Sequence, residues 1–503
     1  MTDQPALRSR LSGVSLIFAC GTALFSDGID YVDKQENSRV HFLLFCQLIH
    51  IISVNTLLKR IYGDEITAHN YSTVVSSVAF AGTVVGMLVF GYLSDKMGRK
   101  FGMMTATGIV AFFSLLSAAS EGAHHSVGGT LAMLSACRFL LGIGVGAEYP
   151  CGSVSASEQT EQKSISKNAQ HRWFALATNS MIDTGFVISA FVPLVLYWIC
   201  GPNHLRAVWR LSLGLGFIPA MLVFIWRLSM DEPDSYKKSS MKNVKIPYML
   251  VLRRYWPSLV AISLTWFIYD FITYPFGIYS STVVDNITGG SDAIPVIFGW
   301  NIIINLFYIP GTLGGAFIVD YVGPKNCMIA GLISQAVIGF IMSGLYEKLT
   351  SHVAAFAVVY GIFLSFGEVG PGNCLGLLAS KTSPTAVRGQ FYGTAAAVGK
   401  IGAFVGTWAF PPMIDAFGGA SSVRGNTGPF WVGSGLAVLS ALITFFFIRP
   451  LSHDGMADED EKFRQYLEAH GFDTSTMGLG GTGSVTAIDD TTSDEKVDQK
   501  SVV

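Results

Sequence analysis

Long apolar runs separated by short polar stretches set the pattern of this chain. Runs of about 20 residues, enough for a helix to cross the ~30 Å hydrocarbon core of a bilayer, fall near 12–32, 73–92, 102–120, 129–150, 173–199, 208–228, 258–284, 296–319, 326–346, 353–379, 390–416 and 428–449. The first continues irregularly to 58. They predict twelve membrane-spanning helices, since lipid offers the backbone no hydrogen-bond partner and only self-satisfied helices or closed barrels cross it. The central polar stretch, 229–257, divides them six and six. Four segments are therefore expected: an N-terminal six-helix half (1–228), a central loop (229–257), a C-terminal six-helix half (258–450) and a polar tail (451–503). In the tail, "HDGMADEDEKFRQYLEAHGF" fits a short amphipathic helix, and the Thr/Ser/Gly/Asp-rich sequence from 473 reads as disordered.

Composition agrees with an all-α integral membrane protein. Half of the 503 residues are hydrophobic and 14% are charged, where a soluble domain carries about 25%. Mean hydropathy is +0.45. The net charge of −2 points to no nucleic-acid partner. Basic residues matter here for topology. Arg8 and Arg10, the "DKMGRK" stretch (95–100), the central loop and Lys325 all fall on one side of an even-numbered bundle, which the positive-inside rule makes cytoplasmic. Two glycosylation sequons, at Asn70 and Asn286, fall on the opposite side. The short polar N-terminus carries no cleavable signal, so the first span is expected to serve as its own insertion signal. The seven cysteines sit mostly in apolar runs without metal-ligand spacing. No nucleophile–base arrangement and no nucleotide loop is present. Enzymatic chemistry, a cofactor and a metal are not expected.

The polar residues kept inside or beside the spans carry the function. "GYLSDKMGRK" (91–100) lies between the second and third spans. Gly91 lets a helix end approach its neighbour, while Asp95 and Arg99 can pair with each other and with a helix end. This strongly resembles the loop motif of the major facilitator superfamily. A degraded copy, "AFIVDYVGPK" (316–325), follows about one six-span half later, with Asp320 matching Asp95. "RFLLGIGVGAEYP" (138–150) resembles the superfamily's fourth-span motif. It places Arg138 before Gly142, Gly144 and Gly146, which permit close helix contact. The resemblance implies the major facilitator fold, with two six-helix halves.

A narrower resemblance follows. "GAEYPCGSVSASE" (146–158) is similar to the fourth-span signature of the fungal and plant proton-coupled phosphate permeases, with Glu148 in place of the family's Asp and Tyr149 matching. "PTAVRGQFYGTAAAVGKIGAFVG" (384–406) is similar to the family's segment around the eleventh span, matching at Arg388, Gly389, Gly399, Lys400 and Gly402. Trp266, Asp270 and Tyr274 match the family's seventh span, and their spacing of four puts all three on one helix face. A carboxylate at bilayer depth costs ~2.5–3.5 kcal/mol on insertion scales and is a functional candidate by default. The resemblance implies that Asp270 exchanges a proton and holds the substrate's phosphate beside the two aromatics. Lys400 is then the opposite charge. Tyr149 joins the substrate site, and Glu148, Asp27 and Asp30 ("LFSDGIDYV", 24–32) are accessory proton-linked groups. A purely structural Asp270–Lys400 pair is the competing reading.

The departures narrow the substrate. Asp183 stands where the phosphate permeases carry Gln, and Gly372 where they carry Asn, with Asn373 next to it. An added carboxylate repels a phosphate dianion unless it is protonated or takes hydroxyl donors. The pattern most resembles the fungal glycerophosphoinositol and glycerophosphocholine permeases. The expected function is proton-coupled import of glycerophosphodiesters across the plasma membrane, with both termini cytoplasmic. An inorganic phosphate symporter, a sugar or organic-anion carrier and a non-transporting nutrient receptor are the alternatives. The partners expected are a phosphate-bearing small molecule, protons and the lipid bilayer.

One stretch breaks the pattern. Residues 33–50 interrupt the first span with polar sequence, roughly 17 residues beyond what the family's motif offsets allow, and an unpaired polar break inside lipid is costly. We read it as a translated intron or a gene-model error. Spliced message lacking these codons is the expected observation, and message containing them contradicts it.

Overall fold

Because each apolar run must close its own backbone hydrogen bonds in lipid, the chain folds as a bundle of long helices. The computed structural model describes residues 46–63, 65–66, 70–161, 165–279, 294–452 and 455–479. Asp27, Asp30, the sequon at Asn286 and the tail beyond 479 lie outside the described residues. α1 is Cys46–Tyr62. α2 to α10 are Tyr71–Met97, Arg99–Ala118, Val127–Thr160, Lys167–Cys200, Pro202–Leu228, Tyr248–Ile278, Ile294–Val322, Pro324–Gly344 and Val353–Lys381. α11 is Arg388–Ala416 and α12 is Val423–Phe447. Among the described residues no strand occurs, and ten helices are long and apolar enough to cross a membrane. α11 is as long as those ten but carries Lys400 in its middle, and α1 has 17 residues. Residues 46–50, which fall in the suspected insertion, are helical and run straight into Val54-Asn55-Thr56.

The outer surface is apolar. Phe112 on α3, Ile225 on α6, Val337 on α9 and Phe446 on α12 are 56%, 56%, 50% and 70% exposed, as expected of lipid-facing helices. The inner helices approach closely through small residues. A β-carbon at Gly142 or Gly146 of α4 would lie 2.3 Å from Ala79 O or 2.2 Å from Thr83 O of α2, so both positions need glycine for the helices to touch. Arg138 of the same motif is fully buried.

Two helices are locally widened. α4 passes through a π turn at Tyr149–Ser153 and α10 through another at Glu368–Gly372. Each contains a proline, Pro150 or Pro371, which lacks the N–H that a regular ladder needs. π turns of this kind gather at functional positions, and these two occupy the fourth helix of each half.

The end of the bundle expected to be cytoplasmic is closed by one device used twice. Asp95, at the end of α2, accepts from the backbone N–H groups of Gly389 and Gln390 at 2.9 Å each, capping the N-terminus of α11. Asp320 of α8 accepts from Arg172 N at 3.1 Å near the start of α5. Both place an anion at a positive helix end, and each joins one half to the other. Around Asp95 the cluster is fully buried. Arg99 pairs with Asp95 at 2.6 Å and with Glu158 at 3.0 Å, and Glu158 also binds Arg388 at 3.0 Å. Gly91 sits beside it, where a β-carbon would lie 2.9 Å from Gly389 O. Glu232 of the central loop caps α3 through Arg99 N and Lys100 N, at 3.0 and 3.1 Å. Burial pushes its carboxyl above the ordinary range, against the pull of those amides and of Arg99.

The tail closes beneath this cluster. α13, Gly455–Ala469, is the amphipathic helix that the sequence suggested. Its Met456 N and Ala457 N donate to Glu161 at 3.1 Å each, Asp460 accepts from Thr385 N at 2.6 Å, and Glu459 pairs with Arg254 at 3.1 Å. Residues 473–479, expected to begin a disordered tail, are held instead. Gly478 N and Leu479 N donate to Ser240 O and Lys237 O at 2.8 Å each.

Glu158 is the shared acceptor of two buried guanidiniums, and its loss leaves Arg99 only Asp95 and Arg388 only the longer contact to Asp460 as ion-pair partners. Breaking a buried ion pair costs about 3–5 kcal/mol, and of the two pairs made by Glu158 the one with Arg388 joins the halves. Glu158→Gln is expected to shift the population toward opening at this end. Spin labels on α2 and α11 near Asp95 and Gln390 should move apart, and an unchanged distance distribution would contradict the assignment.

Candidate functional site

Asp270, the carboxylate at bilayer depth, is 1% exposed and has a partner. Lys400 of α11 donates to Asp270 Oδ2 at 3.0 Å and to the Tyr274 hydroxyl. Its ammonium also lies 3.9 Å from the ring centre of Tyr274 and 5.3 Å from that of Tyr149. A carboxylate, two aromatic faces and a hydroxyl thus surround one buried cation, combining charge-assisted hydrogen bonding with cation–π attraction. Trp266 lies one turn away, 6.5 Å from the Tyr149 ring and 5.6 Å from Tyr392. The spacing of four along α7 puts Trp266, Asp270 and Tyr274 on one face, and all three line a central cavity with Tyr149 and Lys400.

The opposite wall is acidic. Asp183 of α5 lines the cavity, accepts from Thr312 Oγ1 and has no protein donor for Oδ1. Glu368, the first residue of the α10 π turn, accepts from Tyr269 at 2.7 Å and from Asn179 Nδ2 at 3.0 Å. Sequence reasoning missed Glu368. The signal was available, because "FLSFGEVGPG" carries a lone carboxylate in an apolar run just as α7 does. The cavity encloses about 60 Å³, room for a few waters. The halves must part before a larger solute can occupy it.

Two expected site residues lie elsewhere. Glu148 is outside the cavity wall. Arg227 of α6 grips it with two nitrogens, at 2.7 and 2.9 Å. Successive helix positions differ by about 100°, so where Tyr149 faces the cavity, Glu148 faces α3 and α6. Asn373 is displaced for the same reason. Gly372 lines the cavity, while Asn373 turns to donate to Thr312 O at 2.9 Å and to accept from Asn179 at 3.2 Å. Gly91, Asp95, Arg99, Asp320 and Arg388 stand at the closed end described above. Among the described residues no group of three His, Cys, Asp or Glu side chains could hold a metal.

The family model of the Major Facilitator Superfamily matches residues 40–407. The chain is 47% identical over 468 residues to the glycerophosphocholine permease GIT4 of Candida albicans, covering 92% of this chain and 84% of that one. It is 46% identical over 468 residues to the major glycerophosphoinositol permease GIT3 of the same organism, with the same coverage. The fold is also that of the proton:xylose symporter XylE bound to 6-bromo-6-deoxy-D-glucose, with a TM-score of 0.70 at 17% identity over 91% of this chain and 99% of that one.

The Glu148–Arg227 pair can be tested for a structural role. Removing either charge alone strands the other in a buried site, at a cost of about 3–5 kcal/mol, whereas an apolar pair of similar volume is often neutral. Glu148→Leu and Arg227→Met are each expected to lower the melting temperature of detergent-purified protein, and the double variant to recover most of it. Additive losses in the double variant would contradict this.

Proposed function

The chain belongs to the major facilitator superfamily, and from that premise we propose that it is a twelve-span, proton-coupled importer of glycerophosphodiesters in the plasma membrane, with both termini cytoplasmic. The observation that carries the reading is the buried ammonium of Lys400, held by Asp270 and two aromatic rings at the junction of the halves. Relatives named as glycerophosphocholine and glycerophosphoinositol permeases, at 47% and 46% identity, support the substrate class.

The coupling follows from charge. In the empty site Lys400 and Asp270 neutralise each other. A phosphodiester brings one negative charge, which Lys400 attracts. Two anions ~4 Å apart then repel each other by about 4 kcal/mol at an effective dielectric near 20. A proton on Asp270 removes that repulsion, frees Lys400 for the phosphate and leaves an O–H to donate to a phosphate oxygen. Proton and anion therefore occupy the site together. Rocking of the two halves exposes it alternately to each side, with the Asp95 and Asp320 caps breaking and re-forming. Return of the empty carrier requires the Lys400–Asp270 pair to re-form, since an unpaired charge at this depth is costly.

The acidic wall weighs against inorganic phosphate as the main substrate. A dianion would face Asp183 and Glu368, whereas the hydroxyls of a glycerol or inositol group can donate to them. Tyr149, Trp266 and Tyr274 offer faces that a choline cation can also use.

The test is uptake of labelled glycerophosphoinositol, glycerophosphocholine and phosphate by cells lacking their own carriers, near pH 5 and near pH 7.5, with wild type and Asp270→Asn. Diester uptake is expected to be faster at acid pH and to fall at least about ten-fold in the variant, a loss of ~1.4 kcal/mol or more in transition-state stabilisation. Uptake of phosphate alone would make the chain a phosphate symporter. A sugar competing with the label would point to a sugar carrier, and binding without uptake to a receptor.

A further inference from the structure

The acidic wall depends on a missing side chain. Glu368 and Gly372 are the first and last residues of the α10 π turn, and the carboxylate of Glu368 folds back over Gly372. A β-carbon at 372 would lie 2.0 Å from Glu368 Oε2 and 2.9 Å from Asn179 Nδ2. Any side chain at 372 and the observed position of the carboxylate therefore exclude each other. Glu368 is 2% exposed and sits on the cavity wall. Its oxygens receive one donor each, from Tyr269 and Asn179. A carboxylate has about four acceptor positions, which leaves room for donors from a solute. Asp183, on the same wall, has one oxygen with no protein donor.

We propose that Glu368, held by Asn179 and Tyr269 and admitted by the bare backbone of Gly372, determines specificity by accepting hydroxyl groups of the substrate's alcohol while Lys400 takes its phosphate. This rests on the diester reading above and assigns the second end of the substrate. A glycerol or inositol moiety supplies several hydroxyl donors. Inorganic phosphate has one or two P–OH groups but no alcohol arm to reach this wall while Lys400 holds its anionic oxygens, and as the dianion it brings more negative charge, which the acidic wall repels. A site built to bond a hydroxyl strongly rejects solutes that lack it, because its buried polar groups are then left unpaired. Gly372 acts as a positioning residue, through the place it leaves for Glu368.

The geometry also makes the test practicable. The atom that a β-carbon at 372 meets is the free end of a flexible side chain, so Gly372→Ala should displace the carboxylate without unfolding α10. The experiment measures glycerophosphoinositol and phosphate uptake, with surface abundance, for wild type, Gly372→Ala, Glu368→Ala and the double variant. Gly372→Ala and Glu368→Ala are each expected to raise the diester KM about ten-fold and to shift the diester-to-phosphate ratio toward phosphate by a similar factor. The double variant is expected to be no worse than Glu368→Ala alone, because both act through one carboxylate. A ratio within about two-fold of wild type in Glu368→Ala overturns the inference, even if Gly372→Ala fails to reach the membrane. So does a Glu368→Ala protein that loses its pH dependence with an unchanged ratio, since that marks a proton carrier. Wild type that carries no diester overturns this inference together with the reading beneath it, whereas diester transport with an unaltered ratio overturns this inference alone.

Discussion

The pairing of Lys400 with Asp270 is the constraint around which the rest of the molecule is arranged. Neither charge is tolerable alone at bilayer depth, so α7 and α11 must present them to each other. The helices do so through close backbone approach. Gly399, beside Lys400, would place a β-carbon 2.5 Å from Trp266, and Gly402 would place one 2.3 Å from Phe267 O. The aromatic rings around the ammonium lower the local dielectric and strengthen its electrostatic contacts. A buried pair is weak evidence of stability, since apolar replacements often serve as well. Its persistence here is better explained by what it can exchange, a carboxylate partner for a phosphate.

The same economy of charge governs the closed end. Asp95 and Asp320 each sit on the N-terminus of a helix from the opposite half, where an anion is favoured by the helix dipole. These contacts join the halves through a few directional bonds that can break as a unit. The tail adds a second layer, because α13 bonds Glu161 of the N-terminal half and Thr385 and Arg254 of the C-terminal half. Opening of this end must therefore strain or release the tail. At the other end α2 and α11 also touch, where Trp408 donates to Ser77 at 3.0 Å. α2 and α11 thus touch on both sides of the cavity level.

Much of this was legible in the sequence, and what was not has a local physical cause. The apolar runs predicted the helices well because lipid leaves no alternative. The spacing of Trp266, Asp270 and Tyr274 gave their shared face because α7 is regular there. Glu148 and Asn373 lie off the cavity wall, each next to a π turn, where assigning the inward position needs the helical phase to within one residue. A motif fixes a neighbourhood along the chain and leaves that phase open. Glu368 falls at no position that the family resemblance marks. A lone carboxylate in an apolar run has the same significance in α10 as in α7. Arg227 could not have been paired with Glu148 from sequence, since the contact depends on how α4 and α6 meet.

Charge in the cavity ties these elements together. One ammonium, from Lys400, faces three carboxyl groups, from Asp270, Asp183 and Glu368. With all of them ionised the cavity would hold a surplus of two negative charges before any substrate arrived. An anionic substrate adds a third. In a low dielectric such a surplus is costly, and neutral donors such as Thr312, Tyr269 and Asn179 offset only part of it. In the proposed mechanism protons supply the rest, either resident on the acidic wall or arriving with the substrate. A carrier of neutral sugars would meet no such demand, and a carrier of phosphate dianion would meet a larger one. A substrate with a single phosphodiester charge and several hydroxyl groups makes the smallest demand consistent with an anion site. The acidic wall and the proposed proton coupling are therefore two sides of one arrangement of charge.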